Sequence, residues 1–395
     1  MDIKKLTEES VALLREMVRI PSVTFEEAAV ADHISARLTE WGIAHSRVGN
    51  NILAFNAKFD PAKPTLALDA HIDTVPAAAS YTRDPFDPGT GDTIYGLGSN
   101  DDGGSVVAMT AAFRYFYDAD LPANLALVLT CEEERAGSHG AALLYASGEE
   151  PVCGVLPQDG IGSRKGRGPT QWGGPAATTP HTPEALAGVK WVIIGEPTGM
   201  KAATSERGLL VLDGEAKGVS GHAARNEGVN ALYIALDDIK ALREHRFSKI
   251  SPRMGEVKLT VTQINAGTAH NVVPDSCRFV VDVRPTDAYT NEEILAELQA
   301  LCRSTLTPRS LHNRSSSTPE DSPLAKTAQK LGIETYSSPT TSDWIRIGGR
   351  EGIKMGPGES ARSHHADEYI LRSEIQRGVN VYIDFIKTFY GNIME

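Results

Sequence analysis

Hydrophobic positions along the chain recur with two different spacings. Helical spacing runs from Ser10 to Val18, again from Phe25 to Trp41 where Gly42 stops it, and from Ser105 to Tyr117. Short unbroken apolar runs lie between and beyond these segments. Thr65-Leu-Ala-Leu-Asp-Ala70 is entered from the turn-like Asp60-Pro-Ala-Lys-Pro64, and Leu125–Thr130 and Trp191-Val-Ile-Ile194 follow later. Strands that are apolar on both sides must be covered on both faces. Their alternation with helices predicts an α/β domain built around a buried sheet.

The pattern changes in the middle. Leu209–Ala216, Val257–Ile264 and Cys277–Val283 read as strands, and Asn230–Glu244 and Asn291–Thr305 as helices. Two helices against a small, largely antiparallel sheet describe a compact α+β unit. From about Ser322 the earlier alternation resumes, so one domain is interrupted by a smaller one. The expected boundaries are 1–204 and 316–395 for the two parts of the larger domain and 205–315 for the insertion. Residues 154–188 fit neither; crowded with Gly and Pro and without periodicity, they read as a mobile insertion.

Composition narrows the partners. With 395 residues and 41% hydrophobic content the chain can bury a large core. Its net charge of −12 argues against nucleic acid, which needs a basic face. No apolar run is long enough to span a membrane, and the polar N-terminus does not read as a targeting peptide. Cys131, Cys153, Cys277 and Cys302 are widely spaced, which fits reduced thiols in a cytoplasmic protein. Cys131 reads as a small buried residue at a strand end, since no His–Asn pair supports a nucleophile.

Acidic and imidazole groups cluster just after the apolar runs. They occur in His71-Ile-Asp73, in Tyr95-Gly-Leu-Gly-Ser-Asn-Asp101, in Glu132-Glu-Glu134, in Gly195-Glu196-Pro and in Ser363-His-His-Ala-Asp-Glu-Tyr369. In α/β sheets functional groups collect beyond the strand ends. His71, Asp101, Glu134, Glu196 and His364 therefore make a candidate metal set, since catalytic zinc takes imidazole and carboxylate ligands. If Asp101 bridges two ions, each receives one His, one Glu and a share of Asp101. Asp73 is placed to accept the other ring N–H of His71 and fix its tautomer. Spacing alone does not select a general base. On an extended strand Glu132 and Glu134 would share a face and Glu133 would point away.

Together with Gly221-His222, His270-Asn-Val-Val-Pro274 and Gly356-Pro-Gly358, these motifs span nearly the whole chain. The chain resembles the M20 metallopeptidase family of N-acyl-amino-acid deacylases, aminoacylases and dipeptidases. The resemblance implies a zinc-peptidase-like catalytic domain with a mixed sheet, and a lid or dimerisation domain in the insertion. It implies one ion on His71, Asp101 and Glu196 and a second on Asp101, Glu134 and His364. His364 is preferred to His365 because the family's ligand lies three residues before the acidic position, here Asp367. Zinc is the expected metal, with cobalt an alternative. Glu133 falls at the general base and Asp73 beside it. His222 falls at a histidine that crosses a dimer interface to hold the oxyanion. The family's Gly-Arg-Gly is Gly96-Leu-Gly98 here, so that arginine is absent.

Arg207, Asn271, Arg284 and Ser342 fall at positions implied to face substrate. Arginine suits bidentate carboxylate recognition. Gly221-His-Ala-Ala-Arg-Asn-Glu-Gly228 and Ser338-Pro-Thr-Thr-Ser-Asp343 look most like the bacterial N-acetylornithine deacetylase group. The expectation is therefore a homodimeric hydrolase of N-acetyl-L-ornithine in arginine biosynthesis. The alternatives are N-succinylornithine or N-acetylcitrulline deacylation, succinyl-diaminopimelate desuccinylation, an M20 dipeptidase, or an inactive binding protein.

Overall fold

The computed structural model describes residues 2–145, 183–225 and 227–394. Its main sheet has nine strands, in the spatial order Ser46–Val48, Asn51–Phe55, Asn124–Thr130, Thr65–His71, Val189–Ile194, Glu351–Lys354, Ala202–Glu206 and Ser316–Ser317; Thr335–Ser338 also pairs with Ala202–Glu206. The centre is parallel. Thr65–His71 runs parallel to both Asn124–Thr130 and Val189–Ile194, and the latter runs parallel to Glu351–Lys354. The expected mixed-sheet α/β architecture is what the chain adopts.

Side-chain alternation divides the core in two. Ile52, Leu66, Leu68, Leu125, Leu127 and Leu129 pack on one face, against helices Ile3–Val18, Gly103–Phe116 and Arg372–Asn392. Leu53, Phe55, Ala67, Ala126 and Val128 pack on the other, with Leu144, Tyr145, Leu186 and Trp344. Both faces are covered, as the unbroken apolar strands require. The Gly/Pro-rich stretch lies outside the described residues up to 182; its last six residues, Pro183–Gly188, form a 3-10 turn. No helix among the described residues is long and apolar enough to cross a membrane.

The chain leaves the main sheet after Glu206 and rejoins it where Ser316 pairs back on Glu206. The insertion between is a four-stranded antiparallel sheet, Lys258–Ala266, Ser276–Arg284, Leu210–Lys217 and Thr305–Pro308, with helices Ala231–Glu244 and Asn291–Leu301 sharing its core. One expectation needs correcting here. The second helix ends at Leu301 rather than Thr305, and the chain turns into a strand. The cause is Asp238 on the neighbouring helix, whose carboxylate accepts the Arg303 N–H at 3.0 Å and the Ser304 N–H at 2.7 Å. Those amides, held outside the helix, start the extended segment.

Candidate metal centre and active site

Four parallel strands end at one edge of the sheet, and the candidate residues follow from that. His71 closes Thr65–His71 and pairs in register with Thr130, the last residue of its strand, which only Cys131 separates from the Glu132–Glu134 run. Glu196 lies two residues past Ile194, itself level with Asp69. Glu351–Lys354 ends beside Ile194 and leads through Gly356-Pro-Gly358 towards His364. Asp101 enters from a loop ahead of helix Gly103–Phe116. Gly98, at a φ of +74°, allows that loop its turn. Gly195 lets the Glu196 turn approach closely, since a Cβ there would meet Ser105 Cβ at 2.6 Å.

His71, Asp101 and Glu134 each offer a ligand atom within 4.8 Å of the others. The two oxygens of Asp101 face different imidazoles. Oδ1 lies 3.2 Å from His71 Nε2, and Oδ2 lies 3.7 Å from His364 Nε2. His364 Nε2 is also 3.0 Å from Glu134. Its backbone sits in the left-handed region at a φ of 60°, so the loop must hold it in place.

His71 Nδ1 lies 3.0 Å from the main-chain oxygen of Asp73 and 3.6 Å from its carboxylate. The carbonyl is the better acceptor, and an N–H there leaves Nε2 free for a ligand. The Asp73 carboxylate has another task. It accepts the Glu133 N–H at 3.0 Å, the Glu134 N–H at 3.1 Å and the Thr24 hydroxyl at 2.8 Å. Asp73 therefore shapes the Glu133–Glu134 turn. Glu132 ends the strand by adopting a left-handed φ of 60°, and Glu133–Arg135 follow as a 3-10 turn. This departure from strand geometry removes the objection that Glu133 would face away from its neighbours.

The site is over-supplied with negative charge. Burial pushes Glu133 well above the carboxylate range, with His71 opposing and Glu196, Asp343 and Glu134 adding to the shift. Burial likewise pushes Glu196 up, and the nearby charge of Asp101 adds to it. For His71, burial alone would lower the pKa, but the Asp101 and Asp73 carboxylates override it and hold the ring well above its usual value. For Asp101, burial is outweighed by the His71 hydrogen bond, which holds the carboxyl low. Raised buried carboxylates at Glu133 and Glu196 beside an ionised Asp101 suit divalent cations, which would supply the missing positive charge.

The residues expected to face substrate are placed differently. His222 and Asn271 lie together on a short exposed ribbon of the insertion, where His222 pairs with Val272 and Ala223 donates its N–H to the Asn271 carbonyl. His222 Nδ1 accepts the Ala224 N–H at 3.1 Å, which leaves Nε2 as the protonated, outward donor. Among the described residues neither is hydrogen-bonded to the metal set. Arg207 is 8% exposed, and its guanidinium donates to the carbonyls of Glu256, Met254 and Arg284. Arg284 forms a bidentate pair with Asp282 at 2.7 and 3.0 Å. Ser342 is buried and donates to Glu206 at 2.7 Å.

Some neighbours were not anticipated. Arg346 lies close enough for the Glu133 and Asp343 charges to act on it, and it donates to the Ala136 carbonyl at 3.2 Å. Lys354 is a buried cation between Glu206 and Glu196. Glu368 is 3% exposed and accepts three backbone N–H groups of the Asp101 loop. Of these only Glu368 had a sequence signal, its place four residues after His364.

A family model described as peptidase family M20/M25/M40 matches residues 67–388. The succinyl-diaminopimelate desuccinylase of Xylella fastidiosa (strain 9a5c) is 27% identical over 394 residues, covering 93% of this chain and 95% of that one. Among solved structures, aminopeptidase PepT from Bacillus cereus superposes with a TM-score of 0.69 at 16% identity, over 98% of this chain and 99% of that one. The Bacillus subtilis YXEP protein, described as a dinuclear metal binding peptidase, gives 0.66 at 15% identity over 99% of both. At such identities the structures establish a shared fold. The curated relative is a desuccinylase, whereas the motifs had pointed to the N-acetylornithine deacetylase group. The matched region takes in the convergent strand ends, the whole insertion and the His364 loop, and the chain belongs to peptidase family M20/M25/M40.

Proposed function

We propose that this metal-dependent amide hydrolase removes the acyl group from an N-acylated amino acid at a dinuclear centre. His71, Asp101 and Glu196 would hold one ion, and Asp101, Glu134 and His364 the other. The observation that carries this is Asp101, whose two oxygens each face a different imidazole. Zinc fits the imidazole and carboxylate donors, and cobalt fits them too. Bound ions would polarise the scissile carbonyl and acidify the attacking water.

The chain's own groups handle the protons. Glu133, raised by burial, takes a proton from water and returns it to the departing amine. Asp73 keeps the Glu133 and Glu134 amides in place. His222, with Nε2 as donor, is the candidate partner for the developing oxyanion. Because His222 lies on the insertion, its action requires the insertion to move or a second copy to contribute it. Val219, Val229, Tyr233, Leu236, Ile264 and Val272 are exposed on that unit and support a homodimer through it. The free thiols Cys131, Cys277 and Cys302 support a cytoplasmic setting.

For the substrate we favour N-acetyl-L-ornithine. Arg207 and Arg284, the guanidiniums expected to read a succinyl carboxylate, already hold carbonyls and Asp282. We assign Arg207 and Ser342 to the joint between the domains; Arg284 stays paired with Asp282, and Asn271 is the substrate-side candidate beside His222 on the exposed ribbon. N-succinyl-L-diaminopimelate is the second reading, favoured by the desuccinylase relative. Amine release should be measured on N-acetyl- and N-succinyl-ornithine, N-acetylcitrulline, N-succinyl-diaminopimelate and a dipeptide. Preference for N-acetylornithine is expected; preference for the succinyl compounds would install the second reading, and preference for the dipeptide would overturn both.

A further inference from the structure

We propose that Glu368 is a positioning residue of the metal centre, whose carboxylate fixes the Asp101 loop against the loop that carries His364. The inference rests on the reading of Asp101 and His364 as metal ligands. Glu368 Oε1 accepts the N–H of Asn100 at 2.8 Å and of Asp101 at 2.9 Å, and Oε2 accepts the N–H of Gly98 at 3.2 Å. Its main-chain oxygen accepts the Gly96 N–H at 2.9 Å. Four amides within six residues thus converge on one residue from a segment more than 260 positions away.

Neighbouring contacts repeat the connection. Asn100 Oδ1 accepts the Glu359 N–H at 2.9 Å, and Asn100 Nδ2 donates to the Glu359 oxygen at 3.1 Å. Tyr95 pairs with Tyr369 in a short antiparallel ribbon. These contacts would suffice to pack the two segments. Glu368 adds direction. By holding the amide of Asp101 itself, it sets where that residue's side chain leaves the backbone. It does so from the same short loop in which His364 occupies a left-handed conformation. A bridging carboxylate must meet two ions at once, so it tolerates little rotation. Groups that orient metal ligands in this way typically contribute about 10- to 100-fold to metal affinity.

Glu368→Gln keeps the size but turns one acceptor oxygen into an NH2 group facing an amide donor. Glu368→Ala removes both carboxylate oxygens and with them all three side-chain hydrogen bonds. Zinc affinity is measured by competition with a chromogenic chelator, with circular dichroism and the melting temperature of the metal-free protein taken alongside. We expect Glu368→Gln to bind the weaker zinc about 10- to 100-fold less tightly. Its kcat should recover as free zinc is raised, which a purely structural defect would not do. Two folded variants with zinc affinities within twofold of the parent would overturn the proposal, as would variants that fail to fold even with excess zinc. A parent protein that binds no divalent ion would instead remove the reading on which the inference rests.

Discussion

The buried pair Lys354–Glu206 allows a quantitative test of how the joint beneath the site is held. Lys354 Nζ lies 3.0 Å from Glu206 Oε2, with the two side chains 1% and 0% exposed. It also donates to the Thr340 carbonyl at 3.1 Å. In Lys354→Met the Glu206 carboxylate keeps its bond from Ser342 at 2.7 Å but loses its cation. Removing one partner of a buried pair costs about 3–5 kcal/mol. For a domain of roughly 280 residues the unfolding entropy is ~0.6 kcal/mol/K, so the melting temperature should fall by roughly 5–8 °C at neutral pH.

The pH dependence has a definite sign. Burial raises Glu206 above its ordinary value, and Lys354 opposes that shift. Without Lys354 the folded-state pKa rises further. A group whose folded pKa is raised is favourable below its unfolded pKa and loses that contribution as pH rises through the folded value. The variant's deficit should therefore shrink as the pH is lowered from 7, because a protonated Glu206 needs no counter-charge. Thermal unfolding across that range is the assay. A deficit below about 1 kcal/mol at pH 7, the scale of an exposed pair, or one that grows on acidification, would refute the reasoning.

Two other outcomes follow from the site. Asp73→Asn places an NH2 group against the Glu133 or Glu134 amide; steady-state kinetics should show kcat down about 100-fold, the cost of a misplaced catalytic group, and a change below threefold would mean that Asp73 does not set the turn. Burial pushes the Cys131 thiol far above its ordinary range. Native alkylation followed by mass spectrometry should find it unmodified, and rapid labelling would contradict its placement.

Much of the site was legible because parallel strands share an edge. Once Thr65–His71, Asn124–Thr130 and Val189–Ile194 are recognised as buried and parallel, His71, the Glu132–Glu134 run and Glu196 must emerge together. The orientation of Glu133 was not legible, because it depends on a left-handed Glu132 that no periodicity marks. Nor was the strand Thr305–Pro308, which is decided by a carboxylate more than 60 residues away in Asp238. The roles of Arg207 and Arg284 were hidden for a related reason. A guanidinium suits a substrate carboxylate as well as it suits backbone carbonyls or Asp282, and only the fold shows which lies near.

The central claim is that hydrolysis depends on two divalent ions held by His71, Asp101, Glu134, Glu196 and His364. The most direct measurement titrates zinc into chelator-stripped protein, following bound metal and amine release from N-acetyl-L-ornithine in the same samples. Activity should be absent without metal and should saturate as binding approaches about two ions per chain, the number this ligand set can satisfy. Hydrolysis by the stripped protein, or saturation with no metal retained, would contradict the account.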